Sequence, residues 1–217
     1  EIGVRLVGSE MCIRDRMNIN GHSFELDSTT IVDFNKLQFH PYLRVEKEKG
    51  NWHFTAAVNK SWFPADDLFS SLPKGLFSNL EGIKTSGELA YHFLLDIDFA
   101  QLDSLKLESE LKEKDFHIIS YGATSLSKMS DEFIYTAYEN GVPVRTFPIG
   151  PSCKHFTPLD SISPILRMSV MQSEDGAFFY HRGFLPDALR EALIYDLQVK
   201  RFARGGSTIT MQLVKNV

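Results

Sequence analysis

Apolar and polar residues alternate with period two through much of residues 17–150, and the pattern turns helical after residue 160. Leu89, Tyr91, Phe93, Leu95, Ile97 and Phe99 alternate with Ala90, His92, Leu94, Asp96 and Asp98, which predicts a strand with one buried face. Leu105, Leu107, Ser109 and Leu111 alternate with Lys106, Glu108, Glu110 and Lys112, a second strand after a short turn at 101–104. Residues 133–138 and 142–147 flank Glu139-Asn140-Gly141, and Asn-Gly between apolar runs marks a hairpin. Residues 43–45 are expected to pair with 52–56 across Lys49-Gly50-Asn51. A short helix is predicted over 64–72, with Asp66 and Asp67 in its first turn.

Pro and Gly crowd residues 148–158, which read as a linker. Ser163-Pro164 then reads as an N-cap followed by Pro at the first helical position, starting a helix to about residue 172. Pro186 starts another, whose apolar stripe is Leu185, Leu189, Ala192, Leu193 and Leu197. Gly205-Gly206 ends the connection, and Ser207 or Thr208 caps a third helix. The expected class is α+β: an antiparallel β-rich region over 17–150, then a mainly helical region over 151–217.

Composition changes this picture little. The 217 residues are 43% hydrophobic with a formal net charge of −5, and no basic patch points to nucleic acid. No apolar run of about 18 residues predicts a membrane span. Residues 1–16 are a different matter. Glu10-Met11-Cys12-Ile13-Arg14-Asp15 can be encoded by GAG ATG TGT ATA AGA GAC, which resembles a transposase adapter end used in DNA-library preparation. These residues are therefore set aside from fold reasoning. Cys12 goes with them, which leaves Cys153 with no partner for a disulfide or a cysteine metal site.

The candidate chemistry lies in the last 44 residues, where Glu174-Asp175 precedes Phe178, Phe179, Tyr180 and His181. A carboxylate beside aromatic rings loses hydration, and its pKa moves toward the range of a general base. The competing reading is a solvated acidic pair after a helix. His181 is a base, a ligand or a structural donor that holds the loop of Glu174. Arg204-Gly205-Gly206-Ser207-Thr208 puts flexible backbone at a helix start, where free N–H groups and the helix dipole favour an anion. The spacing is not that of a Walker P-loop, and a plain turn with an N-cap is the alternative. Thr208, Gln212 and Lys215 then stand at i, i+4 and i+7, a hydroxyl, amide and ammonium on one stripe suited to a diphosphate. Ile209, Leu213 and Val217 form the opposing apolar stripe.

Together these segments resemble the first two motifs of the peptidoglycan glycosyltransferase (transglycosylase) domain, found in bifunctional penicillin-binding proteins and monofunctional cell-wall transglycosylases. The pattern E-D-x-x-F-x-x-H-x-G is met by Glu174, Asp175, Phe178, His181 and Gly183. The pattern G-G-S-T-I-T-Q-Q-L-x-K-N is met from Gly205 to Asn216, except that Met211 stands where the family usually has its first Gln. The resemblance covers about residues 156–217. The region before it resembles the AsmA-like extracytoplasmic β-domains that accompany such transglycosylases in some Gram-negative bacteria.

The resemblance implies a lysozyme-like, mainly α fold that polymerises lipid II into glycan strands. An acceptor sugar 4-hydroxyl attacks the anomeric carbon of an undecaprenyl-diphosphate donor, with inversion. Glu174 is then the general base and Asp175 its electrostatic support. Phe178, His181, Arg204, Ser207, Thr208, Gln212 and Lys215 are the substrate-binding residues. No obligatory cofactor is implied, with a divalent cation at the donor diphosphate left open. The implied partners are lipid II, the growing strand, a membrane and other cell-wall synthesis proteins, at the periplasmic face of the inner membrane. The family's later R-K-x-x-E motif, with a second glutamate, is not in this sequence. The stretch is therefore expected to be a fragment with little activity alone. Two alternatives stay open: a lysozyme-like peptidoglycan hydrolase and a non-catalytic cell-envelope scaffold.

Overall fold

The computed structural model describes residues 2–6, 9–14, 16–75 and 80–216, with side chains described for 16–75 and 80–215. In chain order the strands are β1 (Ile2–Leu6), β2 (Ser9–Arg14), β3 (Met17–Asn20), β4 (Ser23–Leu26), β5 (Ile31–Phe34), β6 (Leu37–Phe39), β7 (Pro41–Glu48), β8 (Asn51–Pro64), β9 (Lys84–Asp98), β10 (Lys106–Ser120), β11 (Phe133–Glu139) and β12 (Val142–Ile149). The helices are α1 (Ala65–Ser71), α2 (Pro164–Asp175), α3 (Pro186–Val199) and α4 (Ile209–Asn216). The chain divides into two compact units, Glu1–Thr124 with Pro186–Gly206, and Ser125–Leu185 with Ser207–Val217. The architecture is α+β with antiparallel sheets, as the residue pattern predicts. The division differs from the predicted one in two places. Hairpin β11–β12 belongs with the second unit, and α3 belongs with the β-rich first unit.

The first unit is built on a six-stranded sheet of order β10-β9-β8-β7-β4-β3. Lys49 and Gly50, at φ 50° and 89°, connect β7 to β8 with Glu48 opposite Asn51. Two left-handed residues give the turn whose twist matches a hairpin. The strand predicted over 89–99 lies within β9, which ends at Asp98, one residue short of Phe99, and pairs with β8 and β10 on either side. The burial is less one-sided than the alternation implies. Leu89 and Ile97 are buried, while the residues between them are half-buried on both faces. A register shift between Lys60 and Phe63 brings Phe63 opposite Leu89. With Ala65 these form the core, and Leu37, Leu68 and Phe116 pack against it. β10 runs beyond the predicted end of its alternation, through a break in register between Lys114 and His117.

A four-stranded sheet of order β1-β2-β5-β6 completes the strands of this unit. β1 thus pairs antiparallel with β2, and β2 with β5. Main-chain pairing needs no particular side chains, so it does not bear on the origin of residues 1–16.

Gly206 closes the first unit by packing on α3. A Cβ at this position would lie 2.8 Å from Leu189 Cα and 2.9 Å from the Ala188 carbonyl. Both of these close atoms are α3 backbone, which leaves no cheap relaxation, so Gly206→Ala is expected to lower stability by about 1–3 kcal/mol, read as a fall in the urea midpoint. Gly205→Ala, where a Cβ would meet nothing within 4 Å, is the control.

In the second unit, Asn140 and Gly141 at φ 51° and 78° form the predicted turn of β11–β12. The face of that hairpin carries an edge-to-face Tyr135–Phe147 pair, 5.7 Å between centroids. α2 starts at Pro164 as predicted, but Ser163 contributes only its carbonyl, which accepts the Arg167 N–H, and no side-chain cap. Ile165, Leu166, Met168 and Val170 of α2 are exposed, as are Leu213 and Val214 of α4. Leu166, Met168 and Val170 line an open apolar groove with Leu159, Ile162 and Phe178. The predicted role of Val217 in the α4 stripe lies outside the described residues.

Candidate active site

α2 extends three residues beyond its predicted end, so Glu174 and Asp175 stand in its last turn rather than in the loop after it. Successive helical residues point about 100° apart. One carboxylate therefore faces solvent while its neighbour faces inward. Glu174 is exposed, and its side chain makes no hydrogen bond among the described residues. The desolvation predicted for Glu174 falls instead on Asp175, whose side chain is 2% exposed.

Two tight turns, Phe178 N–H to Asp175 O and Tyr180 N–H to Ala177 O, bring the chain back beside the end of α2. His181 Nε2 then lies 2.9 and 3.0 Å from the two Asp175 carboxylate oxygens. Its other nitrogen, Nδ1, accepts the Gly183 N–H at 2.9 Å. An Nδ1 that accepts leaves the proton on Nε2, which donates to Asp175. The Phe178 ring meets the imidazole edge-to-face at 6.3 Å and 87°. Phe179 and Tyr180 are exposed and do not shield Glu174 as the sequence reading proposed.

Asp175 also reaches the start of α4. Its Oδ2 accepts the Ile209 N–H at 3.1 Å, across 34 residues of sequence. Thr208 is the N-cap residue. Its hydroxyl accepts the Met211 N–H at 3.1 Å and donates to the Gly183 carbonyl at 2.6 Å. Gly183 is thus held at both backbone groups, by His181 and by Thr208. Its φ of +96° and a Cβ position 3.1 Å from Thr210 Cγ2 explain why a glycine stands there. Burial by itself pushes the Asp175 carboxyl up. The hydrogen bond from His181 and then the Ile209 N–H more than offset this, and hold it below the usual carboxylate range.

The predicted site residues separate accordingly. Asp175, Phe178, His181 and Thr208 come together as one buried network that joins the end of α2 to the start of α4. Thr208 was predicted to contact the diphosphate, but it is 2% exposed with its hydroxyl engaged on both sides. Ser207 and Lys215 are exposed and Gln212 is half-buried, in the same unit. Arg204 belongs to the other unit, where its guanidinium pairs with Glu191 at 3.1 Å and its N–H meets Asp196. Met211, where the family pattern has Gln, uses only its backbone N–H in the cap. Gly183 stands in the first motif, but sequence reasoning missed the structural use of its backbone and of the Ile209 N–H. Backbone groups leave no mark in residue chemistry beyond the glycine itself. Among the described residues, no cluster of three His, Cys, Asp or Glu is placed to hold a metal, and no helix is long and apolar enough to cross a membrane.

Asp175, buried and clamped to the start of α4, and the exposed Glu174 beside it are the two carboxylates of this site. Residues 140–217 match the sequence model of the family described as Transglycosylase. The chain is similar to proteins named "Biosynthetic peptidoglycan transglycosylase" in several bacteria. The Bdellovibrio bacteriovorus protein is 44% identical over 64 residues, covering 30% of this chain and 25% of that protein. The Rhodopseudomonas palustris protein is 37% identical over 86 residues, covering 37% and 36%. The Nitrobacter winogradskyi protein is 40% identical over 86 residues, covering 37% and 38%. The chain thus spans between 25% and 38% of the length of these curated relatives. No solved structure matches it.

Proposed function

We propose that this chain carries the first part of a peptidoglycan glycosyltransferase that polymerises lipid II at the periplasmic face of the inner membrane. The observation that carries this reading is the Asp175–Ile209 hydrogen bond, which ties the motif bearing Glu174 to the motif bearing Gln212 and Lys215. Glu174, exposed beside that joint, takes the proton of the acceptor 4-hydroxyl as its oxygen bonds to the donor's anomeric carbon. The bond from that carbon to the undecaprenyl diphosphate breaks on the opposite face, which inverts the centre. Ser207, Gln212, Lys215 and the open backbone before α4 meet the diphosphate and the charge that develops on it. Asp175, His181 and Thr208 position the site rather than touch substrate. A divalent cation, if used, travels with the diphosphate, and no cofactor is required. The growing strand, lipid II and other wall-synthesis proteins are the proposed partners.

Lys215→Ala in the full-length protein tests the assignment. Its charge meets the diphosphate in both ground and transition states, so both donor binding and turnover are expected to fall, each by about tenfold. Unchanged donor binding would remove the diphosphate from this helix. Polymerisation of fluorescent lipid II and equilibrium binding of a donor analogue read the two quantities separately.

A further inference from the structure

Helix α3 lies inside the segment that matches the transglycosylase family, yet it is packed on the β-rich unit. Two polar anchors, two turns apart, hold it there. Arg190 Nε donates to the Leu105 carbonyl at 2.6 Å and its Nη2 to the Asp103 carbonyl at 3.2 Å. Gln198 Nε2 donates to Asp103 Oδ1 at 3.0 Å. Ala192, 5% exposed, is the buried apolar residue between them in sequence.

All three acceptors lie on the turn that connects β9 to β10, and that turn is firmly held. Gln101 N–H bonds Asp98 O, Ser104 N–H bonds Gln101 O, and Leu105 N–H bonds Leu102 O. The Asp98 carboxylate accepts the Ala100 N–H, and Leu105 is 1% exposed. A guanidinium forked onto two carbonyls of a rigid turn makes charge-assisted bonds of fixed geometry. At its other end, α3 holds the chain that leads into the second motif. Asp196 accepts the N–H groups of Ala203 and Arg204, and Gly206 lies against Leu189.

We propose that the β9–β10 turn is a docking seat for α3, and that the β-rich unit acts in cis as a scaffold. By fixing α3 it fixes residues 203–206, the approach to Ser207 and Thr208. Arg190 and Gln198 are positioning residues with no contact to substrate. The functional consequence rests on the glycosyltransferase reading, whereas the seat itself does not.

Hydrogen–deuterium exchange on this chain tests the seat. In the Arg190→Ala, Gln198→Ala double variant, amides of 102–106, 190–199 and 203–206 are expected to exchange about tenfold faster, with hairpin β11–β12 unchanged. Gln198→Ala alone should give a smaller change in the same peptides, and it keeps the test decisive if the double variant does not fold. Parental exchange at 102–106 in both variants would overturn the seat. In the full-length protein, the Arg190→Ala variant should polymerise lipid II about tenfold more slowly at saturating donor, with KM little changed. Faster exchange with a parental rate would overturn the scaffold role. A parental protein without polymerase activity would count against the glycosyltransferase reading alone, with exchange still deciding the seat.

Discussion

Glu174→Gln in the full-length protein is expected to slow glycan polymerisation by about 10²–10⁴-fold, with donor binding nearly kept. The substitution preserves size and removes only the base. Glu174 is exposed in the last turn of α2 and makes no bond that the fold requires among the described residues, so stability should not change. A loss of activity without a loss of stability separates a chemical role from a structural one. Parental polymerisation by this variant would show that Glu174 is not the base, and attention would move to the β-rich unit as a binding module.

Asp175→Ala is expected to act in the opposite sense, on structure first. It leaves the Ile209 N–H and the His181 Nε2–H without their acceptor in a site that excludes water. An unsatisfied buried donor costs about 1–3 kcal/mol, so the loss should appear as a lower urea midpoint and a frayed start of α4. Activity should then fall through the displaced second motif. The same carboxylate sets a pH dependence. Its folded-state pKa lies below the unfolded value. Its contribution is therefore fully present above the unfolded pKa of about 3.9 and disappears as pH falls through that value toward the folded one. Thermal melts from about pH 7 to pH 3 should show this acid step in the parent and a weaker one in Asp175→Ala. Equal acid sensitivity in both would mean that other carboxylates govern it.

Much of the fold is legible in residue order. The alternation at 89–99 and the turns at Lys49-Gly50-Asn51 and Glu139-Asn140-Gly141 are local, and each appears within a residue of where the pattern places it. The Pro-started helices appear as well. What the pattern hides is tertiary. Whether Glu174 or Asp175 is buried depends on how far α2 continues, and nothing in the residues near 172 ends it. The bond from Asp175 to Ile209 spans 34 residues and leaves no periodic trace. The identity of Thr208 as a hydroxyl on a polar stripe suggested a ligand. Its N-cap bond and its bond to the Gly183 carbonyl consume that hydroxyl instead. Likewise, Arg190 and Gln198 stand off the apolar stripe of α3, so the stripe alone gave no hint that polar anchors dock this helix on the β9–β10 turn.

The central claim is sugar transfer from a diphosphate donor, and its balance can be counted. The full-length protein should be given lipid II, and new glycosidic bonds and released undecaprenyl diphosphate measured together. The account predicts one diphosphate for every bond formed, with the anomeric centre inverted. Cleavage of finished glycan strands with no diphosphate released would contradict it and identify a hydrolase.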